Sequence, residues 1–133
     1  MEANKIVVDA NVWIRYARIS NISPITQRIL KYNLLPISQN YLLSEVQDAI
    51  IKNNWINIRG TEKIIYLINR ISLNSPPHSI YRLSPDFKDN YLFDLAIQNN
   101  CKFIVSDDSK LIQFPLKPVP VKTSSWFLKT YPL

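Results

Sequence analysis

The chain carries ten carboxylate side chains against 16 lysines and arginines, a formal charge of +6. Five of the ten (Asp86, Asp89, Asp94, Asp107 and Asp108) fall within 23 residues, and Asp9 stands apart, directly after the apolar residues Ile6, Val7 and Val8. Acids that end apolar runs converge at the carboxyl edge of an open α/β sheet, where ligands bind near the switch in strand order. Several carboxylates in one small cleft raise one another's pKa and oppose folding unless a cation compensates them. Mg²⁺ and Mn²⁺ are hard ions that accept all-oxygen sites without Cys or His. Such a site polarises a phosphoryl oxygen, lowers the pKa of a bound water and aims it at phosphorus. Hydrolysis of a phosphodiester therefore suits an acidic cleft in a basic chain whose lysines and arginines hold the nucleic-acid backbone.

Other chemistries have less to work with. His78 is the single histidine, which excludes a His-rich zinc site and disfavours a Ser-His-Asp triad. Cys101 is alone, so no intramolecular disulfide or cysteine zinc cluster forms, and its apolar neighbours mark it as a small buried side chain. With Gly60 the sole glycine, no Gly-rich phosphate loop or Walker motif exists. A receiver-like phosphoacceptor domain wants an early acidic pair, and a haloacid-type phosphatase wants an Asp two residues after Asp9, where this chain has Asn11.

Each acid also has a plainer role. Asp9 can be a satisfied loop residue, and Glu45, at the rim of an apolar arc, an ordinary helix-surface acid. Asp86 and Asp89 suit a helix N-terminus at capping-box spacing. Asp94 reads as solvated, and one of Asp107 and Asp108 can serve merely to cap a turn. The functional case rests on the joint pattern.

The elements that would position these acids follow from patterning. With 47% apolar residues over 133, the chain has the makings of one domain, 1–133, with a true core. Lys5 to Val8 reads as a strand buried on both faces, ending at Asp9. Ser23-Pro24 opens a helix to about Lys31 with Ile25, Ile29 and Leu30 inward. A second helix spans Ser38 to Asn53 on Leu42, Val46, Ala49 and Ile50. Thr61 caps a third, with Ile64, Ile65, Leu67, Ile68 and Ile71 as its apolar side. Ser79 to Leu83 is a short strand, and Ser84-Pro85 opens a helix to about Asn99. Lys102 to Ser106 is a strand that ends at Asp107-Asp108. Pro118 and Pro120 confine any strand in the tail to a sheet edge, and Ser125 to Lys129 forms a last helical turn. The alternation predicts an α/β fold with a mainly parallel sheet. No 18-residue apolar run and no basic-then-apolar leader is present, so a cytoplasmic protein without a membrane span is expected.

Within this frame, KIVVDANVWI resembles the opening of PIN-domain ribonucleases, where a hydrophobic strand runs into Asp-x-Asn. SPDFKDNYLFDLAIQNNCKFIVSDDSKLI resembles the family's second signature, an acidic loop leading a helix and then a strand ending in a Thr/Ser-x-Asp turn. NYLLSEVQDAI resembles the segment carrying the invariant Glu, and VKTSSWFLK the closing strand and helix. Within the family, these segments resemble the toxin-like PIN proteins of bacterial toxin–antitoxin pairs. The resemblance implies a three-layer fold with a mainly parallel central sheet flanked by helices, and an endoribonuclease dependent on Mg²⁺ or Mn²⁺. Carried onto this chain, the catalytic and metal-binding set is Asp9, Glu45, Asp89 and Asp108. Asp9 and Asp108 would bind the ion directly, Asp89 directly or through water, and Glu45 would orient a water or a second ion. Asp86 resembles an accessory acid, Asn11 the polar residue that steadies the first Asp, and Ser106 the hydroxyl of the last turn.

The chain also departs from the family pattern. Asp107 stands where Gly or a basic residue is usual, Ala10 where Thr or Ser is common, and Asn90 where many relatives place the acid found here at Asp89. Arg15, Arg18 and Lys110 are candidate RNA contacts, and Trp13 and Tyr16 candidate stacking residues, Trp13 being better placed for the core. The resemblance further implies RNA as substrate, a small cognate antitoxin and a homodimer through helices. The alternative is a weakly active or inactive PIN-fold module that binds RNA or protein.

Overall fold

Ile6, Val7 and Val8 are all buried although successive strand residues face opposite ways, so β1 (Asn4–Val8) is covered on both sides. The computed structural model describes residues 4–76 and 87–133, the side chains of 87–89 excepted. The expected strand Ser79 to Leu83, the Ser84-Pro85 cap, His78 and Asp86 lie outside the described residues.

Beyond Asp9 the chain turns at once into α1 (Ala10–Ala17), which buries Ala10, Val12, Trp13 and Ala17. Patterning alone predicts no element there, because eight residues fall short of the roughly 11–18-residue window in which a helical period is read. α2 (Ser23–Lys31) forms where expected and buries Ile25 and Ile29. Leu30, expected inward, is 69% exposed, since it sits about 100° round the helix from Ile29. β2 (Leu34–Ser38) replaces the expected start of the next helix, and α3 (Asn40–Asn53) begins two residues after Ser38. Leu42, Val46 and Ile50 form its buried stripe, and Asn54, in the left-handed region at φ 53, ends it.

α4 (Ile58–Ile71) starts three residues before Thr61, because the cap is Asn57, whose side chain accepts the Gly60 amide at 2.7 Å. Thr61 is buried and donates back to the Asn57 carbonyl at 2.9 Å. Of its expected apolar side, Ile64 and Ile68 are buried while Leu67 is exposed. The edge strand β3 (Leu73–Asn74) follows, then α5 (Phe87–Gln98), which is buried from Tyr91 through Ala96. β4 (Ile104–Val105), α6 (Ser109–Gln113), β5 (Val121–Lys122) and α7 (Ser124–Thr130) complete the chain.

The five strands are all parallel, in the order β3-β2-β1-β4-β5. β1 lies at the centre, with Ile6 opposite Pro36 of β2 and Val8 opposite Val105 of β4. The chain first builds outward through β2 and β3, then returns to the other side of β1 for β4 and β5. The strand order therefore reverses between β1 and β4, and the crevice outside the carboxyl ends of those two strands is the place where α/β sheets bind ligands. Among the described residues, no helix is long and apolar enough to cross a membrane.

Candidate active site

Asp9 follows β1 and residues 106–108 follow β4, so parallel pairing brings them to the same edge. The Asp9 amide donates to the Val105 carbonyl at 2.9 Å, which continues the ladder one step beyond the strands. The Asp9 side chain is 0% exposed. Its Oδ2 accepts from the Ser106 hydroxyl at 2.8 Å and from Asn11 Nδ2 at 3.1 Å. Neither bond uses Oδ1.

Ser106, also fully buried, is the node of this arrangement. Its oxygen donates to Asp9 and accepts from Asn11 Nδ2 at 3.2 Å and from the Asp108 amide at 3.1 Å. Asn11 Oδ1 accepts the Asp107 amide at 3.2 Å, and the network thereby fixes which way the Asn11 amide points. The side chains of the β1 and β4 termini are thus locked together before any ligand binds.

The two acids of the last turn diverge. Asp108 is half-buried and caps α6, its Oδ1 accepting the Lys110 amide at 3.0 Å. Asp107 reaches the start of α7, where Oδ1 accepts the Ser124 amide at 2.8 Å and Oδ2 the Ser124 hydroxyl at 2.7 Å. Arg15 Nη1 lies 3.3 Å from Asp107 Oδ2 and 3.4 Å from Ser124 Oγ, with 65% of its side chain exposed. Arg18 places its guanidinium 5.8 Å from the centre of the Trp55 ring. Lys110 is exposed in the first turn of α6, and Trp13 is in the core. Tyr16 is half-buried.

Glu45 projects, half-buried, from α3, and its Oε1 accepts the Tyr91 hydroxyl of α5 at 3.3 Å. Burial drives the Tyr91 phenol well above its ordinary pKa of 10.0, and the negative charges of Glu45 and Asp9 push the same way. The charge of Asp9 thus reaches the phenol that Glu45 binds. Tyr91 packs edge-on to Tyr41 with ring centres 4.9 Å apart.

Asp89 lies in the first turn of α5, its side chain outside the described residues, and Asn90 is half-buried one position on. Asp94 corrects an expectation: it is 3% exposed rather than solvated, because α5 is enclosed between Tyr91 and Ala96. Tyr91 and Ser124 are the site's neighbours that sequence reasoning passed over. Ser124 had a signal in the run Thr123-Ser124-Ser125 ahead of a helix, whereas Tyr91 is indistinguishable in sequence from the apolar residues beside it.

The donors facing this edge are carboxylate, hydroxyl and amide oxygens, the set that a hard divalent cation accepts. Among the described residues, no group of three or more His, Cys, Asp or Glu side chains stands ready to hold a metal ion. The carboxylates of Asp9, Glu45 and Asp108 have the oxygen chemistry that such an ion accepts.

Compared with known families, residues 5–110 match the profile of the PIN domain. No curated protein sequence matches the chain.

Proposed function

Because the chain belongs to the PIN domain family and has its nuclease-type fold, we propose that it is a divalent-metal-dependent endoribonuclease that hydrolyses phosphodiester bonds of single-stranded or structured RNA. The observation that carries this reading is the fully buried Asp9 at the β1/β4 switch, held by Ser106 and Asn11. A buried aspartate at the ligand-binding edge of an α/β sheet, already fixed by neutral donors, suits a cation partner.

In this reading Asp9 and Asp108 would hold an Mg²⁺ or Mn²⁺ ion, with Asp89 and Glu45 as further carboxylates. A bound ion of this kind supplies Lewis acidity toward a phosphoryl oxygen and a water of lowered pKa. The chain's own residues do the rest. Ser106 and Asn11 fix one oxygen of Asp9, so that the carboxylate does not reorganise as charge develops at phosphorus. Glu45 orients the attacking water. Lys110, Arg18 and Arg15 hold the flanking phosphates, Arg15 by swinging from its exposed position beside Asp107.

The same reading extends to partners. The resemblance of the Asp9, Glu45 and Asp108 segments to toxin-like PIN proteins supports a toxin role with a small cognate antitoxin and a homodimer, in the cytoplasm. A second reading is a weakly active or inactive module that binds RNA or protein, in which the Asp9, Asn11 and Ser106 network serves the fold alone.

The two separate in one assay, cleavage of a generic single-stranded RNA with Mn²⁺ or Mg²⁺. The nuclease reading requires cleavage that chelation abolishes and that Asp9→Asn lowers by at least ~100-fold, beyond the ~10–100-fold typical of an outer partner of a metal ligand. Binding of the RNA without metal-dependent cleavage would establish the second reading.

A further inference from the structure

We propose that Tyr91 is a positioning residue of this site: its hydroxyl holds the Glu45 carboxylate in place between α3 and α5. The inference rests on the metal-dependent reading above, because it assigns Glu45 a task there. A glutamate side chain has three torsions, so its contacts decide where the carboxylate sits. Here the phenol of α5 donates to Glu45 Oε1 at 3.3 Å. A buried phenol hydroxyl needs a partner, and Tyr91 is 6% exposed.

The ring is itself held. Tyr41 and Glu45 are four residues apart on α3 and so lie on one face of that helix. Tyr41 meets the Tyr91 ring edge-on, 4.9 Å between centres at 76°, while Glu45 takes the hydroxyl. One turn of α3 thus grips both ends of the Tyr91 side chain, and the acid of α3 is set relative to α5, the helix whose first turn carries Asp89. A phenylalanine would keep the ring packing and lose the donor, so packing and positioning are separable.

The test is a double-mutant cycle on the full chain: wild type, Tyr91→Phe, Glu45→Ala and both together. Two readouts are taken, Mn²⁺ binding by electron paramagnetic resonance without RNA, and kcat and KM on single-stranded RNA. Tyr91→Phe is expected to keep its melting temperature and its KM while Mn²⁺ binding and kcat each fall about tenfold, as for an outer partner of a metal ligand. Glu45→Ala should fall further, and adding Tyr91→Phe to it should cost nothing more. Equal losses in both backgrounds would mean that Tyr91 does not act through Glu45 and would overturn the proposal. So would a Tyr91→Phe variant identical to wild type in both readouts, or a wild type that binds no Mn²⁺. Coupling seen in Mn²⁺ binding with no RNA cleavage by the wild type would uphold the positioning role and reject the nuclease reading.

Discussion

Ser106 shows how much one hydroxyl can carry. Its oxygen joins the side chains of Asp9 and Asn11 and the amide of Asp108 inside the protein. Ser106→Ala leaves Asp9 Oδ2 with one of these two donors and strips the Asp108 amide of its acceptor, so unfolding free energy should fall by about 1–3 kcal/mol in urea titrations. Catalysis should fall by ~10–100-fold, the usual cost of losing an outer partner, while Ser106→Thr should retain most of both. The chain announces the acids of this edge because each ends an apolar run. It does not announce their bonding, since which oxygen of Asp9 meets Ser106 depends on a pairing 97 residues apart. Asp107 and Asp108 are adjacent and chemically alike, and their partners separate them, Ser124 and Arg15 for Asp107 and the Lys110 amide for Asp108.

That separation matters for the elements. Asp107 binds the first residue of α7 through backbone and hydroxyl and also faces Arg15 of α1, so one carboxylate ties two helices to the end of β4. Asp107→Ala should therefore loosen α7. The expected result is a destabilisation of about 1–2 kcal/mol, with hydrogen exchange accelerated in residues 124–130 and Mn²⁺ binding unchanged. A loss of Mn²⁺ binding instead would make Asp107 part of the metal site. Most elements were legible, with β1, α2, the end of α3, α5, β4, the edge strand β5 and α7 lying close to where spacing and caps put them. β2 was hidden by Pro36, which argues against an inner strand. The proline is tolerated because β3 pairs only with Ile37 and Ser38, leaving Pro36 where β2 has a single neighbour. α4 began early because Asn57, three residues ahead of a solitary glycine, made a better cap than Thr61.

For the whole molecule, strand order is what sequence patterning left open and what builds the site. A parallel α/β reading permits several orders, and only the reversal between β1 and β4 sets Asp9 beside Ser106. Stability should also depend on pH at the alkaline end. Burial pushes the Cys101 thiol up from 9.0 to about 12, a shift that Lys5 moderates, and Tyr91 is raised as well. Both groups keep their protons in the folded chain after the unfolded chain has lost them. For Cys101 that contribution is complete below about pH 9 and is lost as pH rises toward about 12, while for Tyr91 the loss begins near its ordinary pKa of 10.0 and continues beyond that window. Urea midpoints should fall across that window, and less steeply for Cys101→Ala. The charge of +6 predicts that RNA binding weakens with salt, log K falling by about 0.7 per phosphate contact for each unit of log salt.

Diffraction at the manganese edge from Mn²⁺-soaked crystals tests most directly whether the β1/β4 edge is a cation site. The expected result is an anomalous peak in direct contact with an Asp9 oxygen and shared with at least one of Glu45, Asp89 and Asp108. Manganese bound only at surface carboxylates, with a lysine ammonium against Asp9 in its place, would contradict it.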